Sequence, residues 1–393
     1  MEDEKNYKSL HERVEALKDQ SLSGNTPAKS ESSDKVEERI EKTEGKPQKP
    51  VVAKGTMIAE NSETQGGPVG LDIGTSHIVV AQNKRNYVET IEELNAFFTV
   101  PNAKFAQDTL NQKKITYYEQ ENLYYIFGYA AESFANMFNT NTKRPMTDGF
   151  LSPNEADGLS VIQAIVNTLV QKPKKFGETL CFVIPGDPLD GNGSVGYHES
   201  VIKNFIGALG YSPLSINEGL AVAISELSED DYSGIGISMG GGMCNICLSY
   251  LSFPVITYSL QIAGDYIDSM VGSAVGEPAT KIKVIKEEEL DLTREPNGRI
   301  ITALHIFYNE LIFKLLQSLE RVLSSTENIP KIKAPVPIVI SGGTAMPKGC
   351  KETFENMLKK VSLPVEISTV RLAEDPLNTS ARGALVMALT EAG

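Results

Sequence analysis

Two glycine-rich turns in this chain of 393 residues are built alike and differ at one acid. The first, Gly70-Leu71-Asp72-Ile73-Gly74-Thr75-Ser76-His77-Ile78-Val79, sets a carboxylate two residues before the turn. The second, Gly236-Ile237-Ser238-Met239-Gly240-Gly241-Gly242-Met243-Cys244-Asn245, has Ser238 at that place. β-Branched runs on both sides of a glycine turn spell a tight hairpin. Glycine there lets successive backbone N–H groups converge on an anion. Two such hairpins facing each other would hold a nucleotide's phosphates from both sides. Gly74, Thr75 and Ser76 would supply N–H and hydroxyl donors from one wall, and Gly240, Gly241 and Gly242 the other. The bland alternative, a triple glycine that only fills a tight turn, leaves its pairing with the first copy unexplained. Asp72 is placed to reach Mg²⁺ through coordinated water, because magnesium binds through one or two carboxylates plus substrate phosphates. The competing reading is an aspartate that caps the turn. His77 either lines the phosphate pocket or packs behind it.

The elements that must position these turns follow from composition and periodicity. Residues 1–65 are rich in Glu, Lys, Ser and Pro with few aromatics, the composition of a disordered tail. Within it Tyr7, Leu10, Val14 and Leu17 recur at helical spacing. From residue 66 onward strands and helices alternate, which predicts an α/β fold. Strands are expected at 179–185 and 336–340, and the second hairpin continues through 248–259. Helices are expected at 159–170, 199–209, 220–228, 265–275, 280–289, 300–325 and 379–389. The order reads as one unit written twice around a common cleft, the usual place for a ligand. The first unit covers 66–215, with a small inserted subdomain at 102–141 and completion by 366–393. The second covers 216–365, with a reduced outer part at 267–299.

The net charge of −14 argues against a general nucleic-acid binder. Four cysteines make no disulfide framework and point to a reducing compartment. Cys244 and Cys247 lie three apart on an expected strand, so their sulfurs face opposite ways and hold no metal between them. The N-terminus is acidic and polar, unlike a secretory signal. The longest apolar stretch, 251–263, is interrupted by Pro254, so no transmembrane segment is expected. These features together suggest a cytoplasmic protein.

An ordered set of segments resembles one family, the bacterial actin-like ATPases of the MreB/MamK type. GLDIGTSH and ISMGGGMCN resemble its two phosphate hairpins, and PMTDGFLSPNEA (145–156) the segment before its cleft-facing helix. INEGLAVAIS (216–225) resembles the first connecting helix, and AGDYID (263–268) the opening of the second large helical region. VISGGTAMPKG (339–349) resembles the adenosine motif, and AEDPLNTSARGAL (373–385) the final connecting helix. Together they span nearly all of 66–393.

The resemblance implies two similar α/β domains around a cleft for ATP or ADP with Mg²⁺, and assembly into a homopolymer of paired protofilaments. It assigns Glu218 to orienting the attacking water, against the plainer reading of a carboxylate at a helix N-terminus. It places Gly342, Gly343 and Thr344 beside adenine and ribose, and makes Lys281 and Lys283 candidates next to the base. Departures gather in the second hairpin: Ser238 stands where the family has Asp, Met243 where it has Thr, and Asn245 often where it has Asp. Loss of a carboxylate beside the metal predicts that nucleotide binding outlasts hydrolysis, so the ATPase is expected to be slow. Gly219 replaces the family's proline, which is expected to loosen the helix start and shift Glu218. Two other functions stand beside filament formation: a non-polymerising ATP-binding scaffold, and a sugar or acetate kinase in which Asp187 serves the acceptor hydroxyl. An adaptor on the N-terminal tail is a further expected partner, with residence along the inner membrane or an organelle.

Overall fold

Each glycine hairpin opens a sheet, and the two sheets have one topology. The structure is a computed structural model that describes residues 66–84, 87–151, 157–191, 193–326 and 334–392. Strands β1 (Val69–Ile73), β2 (His77–Lys84) and β3 (Tyr87–Leu94) form an antiparallel meander. A small excursion follows: β4 (Phe97–Pro101), α1 (Lys104–Gln112), β5 (Tyr117–Gln120), β6 (Leu123–Phe127) and α2 (Tyr129–Met137). The ribbon of β7 (Met146–Thr147) and β8 (Phe150–Leu151) leads to α3 (Gly158–Leu169), β9 (Thr179–Ile184), α4 (Val195–Ala208) and β10 (Ser212–Asn217). Helix α5 (Glu218–Glu226) crosses to a second meander, β11 (Gly234–Met239), β12 (Cys244–Tyr250) and β13 (Phe253–Leu260). The rest comprises α6 (Gly264–Val275), α7 (Ala279–Glu289), α8 (Arg299–Ser325), β14 (Val336–Ser341), α9 (Cys350–Leu358), β15 (Ile367–Leu372) and α10 (Thr379–Ala392).

The sheets run β10-β9-β1-β2-β3 and β13-β12-β11-β14-β15. In each, a meander is extended on its first strand's free side by two parallel strands. Each sheet has its own apolar core, one built on Leu71, Ile78, Val161 and Phe182, the other on Ile237, Ile246, Phe307 and Leu311. A third cluster, with Cys181, Ile216, Ala221, Cys247 and Ala384, fills the layer between the sheets, where α5 and α10 cross. Glycines set that crossing. A Cβ on Gly70 of β1 would run into Ala381 O of α10, and one on Gly236 of β11 into Gly219 O of α5. Each glycine precedes its hairpin's key residue, Asp72 or Ser238, by two positions.

Several expectations need amendment. The segment 366–393 divides: β15 joins β14 in the second sheet, and only α10 packs on β1 and β9. The inserted subdomain begins earlier than 102, because β4 already pairs with β6 from Phe97. The region 267–299 carries most of α6, all of α7 and the turn before α8. Gly219 does not loosen α5: Asn217 caps the helix by accepting from Leu220 N–H at 3.2 Å, and a Cβ at 219 would press within 2.7 Å of Cys247 N. Cys244 packs in the second core and Cys247 in the middle layer, on opposite faces of β12. The tail, with Tyr7, Leu10, Val14 and Leu17, lies outside the described residues, as do 152–156 of the segment at 145–156.

Candidate functional site

Both hairpins close with the same backbone bond. Gly74 N–H donates to His77 O at 2.9 Å, and Gly240 N–H donates to Met243 O at 3.0 Å. Their tips meet across one cleft: a Cβ on Gly241 would strike Ser76 Oγ, and one on Gly242 would strike Thr75 Oγ1. The carbonyls of the second tip are turned away and held. Gly240 O accepts from Gly264 N–H at 3.1 Å and Thr344 Oγ at 2.7 Å, and Gly241 O accepts from Asp265 N–H at 2.8 Å. Among the described residues nothing accepts from the N–H groups of Thr75, Ser76, Gly241 or Gly242. Those free donors are the equipment of an anion cradle.

The cleft encloses about 900 Å³, its open mouth included. It is lined by Asp72, Gly74, Thr75, Ser76, His77, Glu218, Ser238, Gly240, Gly241, Gly242, Met243, Lys283, Gly342, Gly343 and Thr344. Lys281 is not brought in; it faces solvent and pairs with Glu277 at 2.9 Å. Gly342, at φ +89°, sits against Met239 O where a side chain has no room, and so lets the turn after β14 close on the second hairpin.

Two carboxylates face each other at the base. Asp72 Oδ1 is buried without a hydrogen-bond partner among the described residues. Burial, and then the Glu218 charge, push its carboxyl well above the usual range. Glu218 opens α5 and is raised to about 7 by burial, against the lowering effect of its bond to Ser238. Ser238 Oγ donates to Glu218 Oε1 at 2.7 Å, and Asn245 Nδ2 donates to Oε2 at 2.6 Å. Ser238 and Asn245 are cross-strand partners, so the hairpin register delivers both to one carboxylate. Asn245 Oδ1 accepts from Gly186 N–H at 2.9 Å, which ties the same network to the first sheet.

The opposite rim is cationic and paired. Lys283 reaches Glu132 of α2 and Glu287, both at 2.8 Å; burial lowers its pKa, but the two carboxylates outweigh that and raise it. Lys286 pairs with Asp268 at 2.8 Å, and burial raises Asp268 to about 6 despite that partner. His77 is lowered to about 3, first by burial and then by Lys283, Arg144 and Lys286, so it stays neutral at physiological pH. Sequence reasoning missed Lys286, Asp268 and His198 as lining residues. The spacing of Lys283 and Lys286 on one helix face could have revealed the first, and Asp268 closes the AGDYID segment; nothing local marks His198.

The sequence matches the family described as Volactin over residues 68–388. The chain belongs to the Volactin family. A search of curated protein sequences gave no match. Among solved structures, this Volactin-family chain is similar to MamK in its double helical filament, with a TM-score of 0.60 at 19% identity, covering 82% of this chain and 98% of MamK. It is also similar to MreB5 of Spiroplasma citri bound to ADP, with a TM-score of 0.57 at 15% identity, covering 84% of this chain and 98% of that one. The same protein bound to AMPPNP gives 0.58 at 16% identity over the same shares. The Volactin-family chain therefore has the actin-like fold expected from its motifs. No helix of the described residues is long and apolar enough to cross a membrane.

Proposed function

We propose that this chain is a nucleotide-dependent, filament-forming actin-like cytoskeletal protein of the cytoplasm. It holds ATP or ADP with Mg²⁺ between its two hairpins and hydrolyses ATP slowly. The apposition of two identically closed hairpins, with unused N–H donors at both tips, carries the reading. Anions bind where such donors converge, and a polyphosphate is the anion long enough to engage both tips.

The residues fit a magnesium ion. Asp72 offers a buried, unpartnered carboxylate oxygen beside the raised carboxyl of Glu218, and a divalent cation relieves that mutual repulsion. Asp72 would hold the ion through water, and the ion would neutralise charge on the terminal phosphates.

Slow turnover follows from the two bonds on Glu218. Ser238 and Asn245 each donate to one oxygen of Glu218, which lowers the basicity of the carboxylate that would accept from the attacking water, and Ser238 supplies no charge to a metal. Assembly rests on the likeness to MamK in its double helical filament, which favours paired protofilaments of this chain. Asp187 is exposed and stands outside the cleft, so it supplies no base for a kinase acceptor.

Sedimentation and negative-stain microscopy with ATP, with ADP and without nucleotide test the reading. Filaments that require nucleotide are the expected result. A monomer that binds nucleotide tightly would support the scaffold alternative, and failure to bind nucleotide at all would overturn both.

A further inference from the structure

The free N–H donors at the hairpin tips take their directions from the carbonyls of the same peptides. A trans peptide points its C=O and N–H opposite ways, so a bond that holds the oxygen fixes where the N–H points. For the Thr75 N–H that bond runs from Asn95 Nδ2 to Gly74 O at 2.8 Å. For Gly241 it is the pair on Gly240 O, from Gly264 N–H and Thr344 Oγ. For Gly242 it is the Asp265 N–H on Gly241 O. All of these holders are uncharged donors, and the Asn95 and Thr344 side chains are buried. The peptide from Thr75 to Ser76 is held differently. Among the described residues Thr75 O accepts from Arg144 Nη1 alone, at 3.4 Å.

Arg144 lies between α2 and β7 and does not line the nucleotide cleft. It lines a second hollow with Asp148, Gln261 and Asp265, and Gly242 borders both hollows. The guanidinium therefore stands behind the tips. Nη1 also reaches Ser76 O at 3.4 Å, an oxygen that accepts from Asn95 N–H at 2.7 Å. Nη2 lies 3.5 Å from Asp265 Oδ1, and the Asp265 N–H is the donor that holds Gly241 O. One ion pair thus joins the supports of both tips. A planar fork of donors suits that task, because it serves two carbonyls and a carboxylate at once. A neutral donor at 3.4 Å would count for little, but a full charge there still polarises the peptide and strengthens its N–H. The charge also reaches into the cleft, where after burial and Lys283 it helps to lower His77.

We propose that Arg144 is a positioning residue for the polyphosphate, which fixes and polarises the peptide from Thr75 to Ser76 so that the Ser76 N–H serves the anion. The assignment rests on the nucleotide reading. Arg144 acts through the first tip and touches no nucleotide itself. Its influence is confined to the phosphates, because the turn after β14 has its own support: Gly342 N–H donates to Pro376 O at 2.8 Å. A plain surface ion pair explains the arrangement less well. Arg144 and Asp265 are both partly exposed, and such a pair adds little to stability.

The experiment titrates the native full-length chain and three variants with Mg·AMPPNP, Mg·ADP and AMP, and records thermal melts without ligand. AMP is the control, since its single phosphate cannot span both tips. Arg144→Met and Arg144→Gln are expected to lose about tenfold in affinity for Mg·AMPPNP and Mg·ADP. Their affinity for AMP and their unliganded melting temperatures should stay at the native values. Arg144→Lys keeps the charge without the planar fork and is expected to recover part of the loss. Native affinity for Mg·AMPPNP in both uncharged variants, or an equal loss for AMP, overturns the Arg144 assignment alone. Failure of both uncharged variants to fold would make Arg144 a support of the fold and overturns the assignment as well. Absence of nucleotide binding by the native chain overturns the nucleotide reading beneath it.

Discussion

At the scale of single residues, the site turns on how one carboxylate is occupied. Ser238 and Asn245 stand on adjacent strands of one hairpin and both donate to Glu218. An aspartate at 238 would remove one donor and add a like charge in a buried setting. Ser238→Asp is therefore expected to raise kcat about tenfold with Mg·ATP, and to lower stability in metal-free buffer by about 1–3 kcal/mol, part of which Mg²⁺ restores. Phosphate release and thermal melts with and without the metal read both effects. His198 gives a second residue-level test through pH. Its pKa falls from about 6.5 unfolded to about 4 folded, so the unfolded chain binds the extra proton between those values. Stability from this group is present above pH 6.5 and is lost as pH falls toward 4. The advantage of His198→Leu over the native chain should thus grow across that window, to about 3 kcal/mol, in melts at stepped pH.

At the scale of elements, function depends on two helices lying close to two strands. Helix α10 crosses α5 where a Cβ on Gly383 would run into Ala221 O, and both helices press on the glycines that lead to Asp72 and Ser238. Backbone at such a contact cannot retreat like a flexible side chain, so a single methyl must push a helix outward. Gly383→Ala is expected to cost about 1–3 kcal/mol in urea unfolding. Gly207, inside α4 with open space around it, is the contrast. Gly207→Ala should stabilise by about 0.4–1 kcal/mol, because the only change is lower entropy of the unfolded chain.

At the scale of the whole molecule, the two halves touch at the hairpin tips and at a clasp over the cleft. Lys283 of α7 binds Glu132 of α2, Thr280 N–H and Oγ meet Asn141 Oδ1 at 3.2 and 3.4 Å, and Thr142 N–H donates to Thr280 Oγ at 3.1 Å. A ligand held between the tips must separate them, and leaving the cleft must strain this clasp. Glu132→Ala leaves Lys283 paired with Glu287, so the fold should persist while the clasp weakens. A charge-assisted hydrogen bond is worth about 1.5–3 kcal/mol, and the expected result is a nucleotide dissociation rate at least tenfold faster in stopped-flow with a fluorescent analogue.

Much of this protein is written locally. Glycine between β-branched runs dictates a hairpin wherever it occurs, because the turn needs a backbone without Cβ and the strands need stiff side chains. That is why Asp72, Gly74 and Gly240 were legible as lining residues, whereas Gly342 and the actin-like fold were expected from the resemblance of ordered motifs. Lys281 and Lys283 show where such reasoning stops: two residues apart on α7, one enters the cleft and the other faces solvent, and the helix's rotation against α2 and α6 decides which. Gly219 looked like a loose helix start, yet it is required by the backbone of β12 passing alongside. The bonding of Glu218, and the burial of His198 with Nδ1 unpartnered, depend on strands and helices distant in sequence being brought together. Local chemistry is set by the chain's own order, whereas burial and partner choice arise only when the two sheets close on α5 and α10.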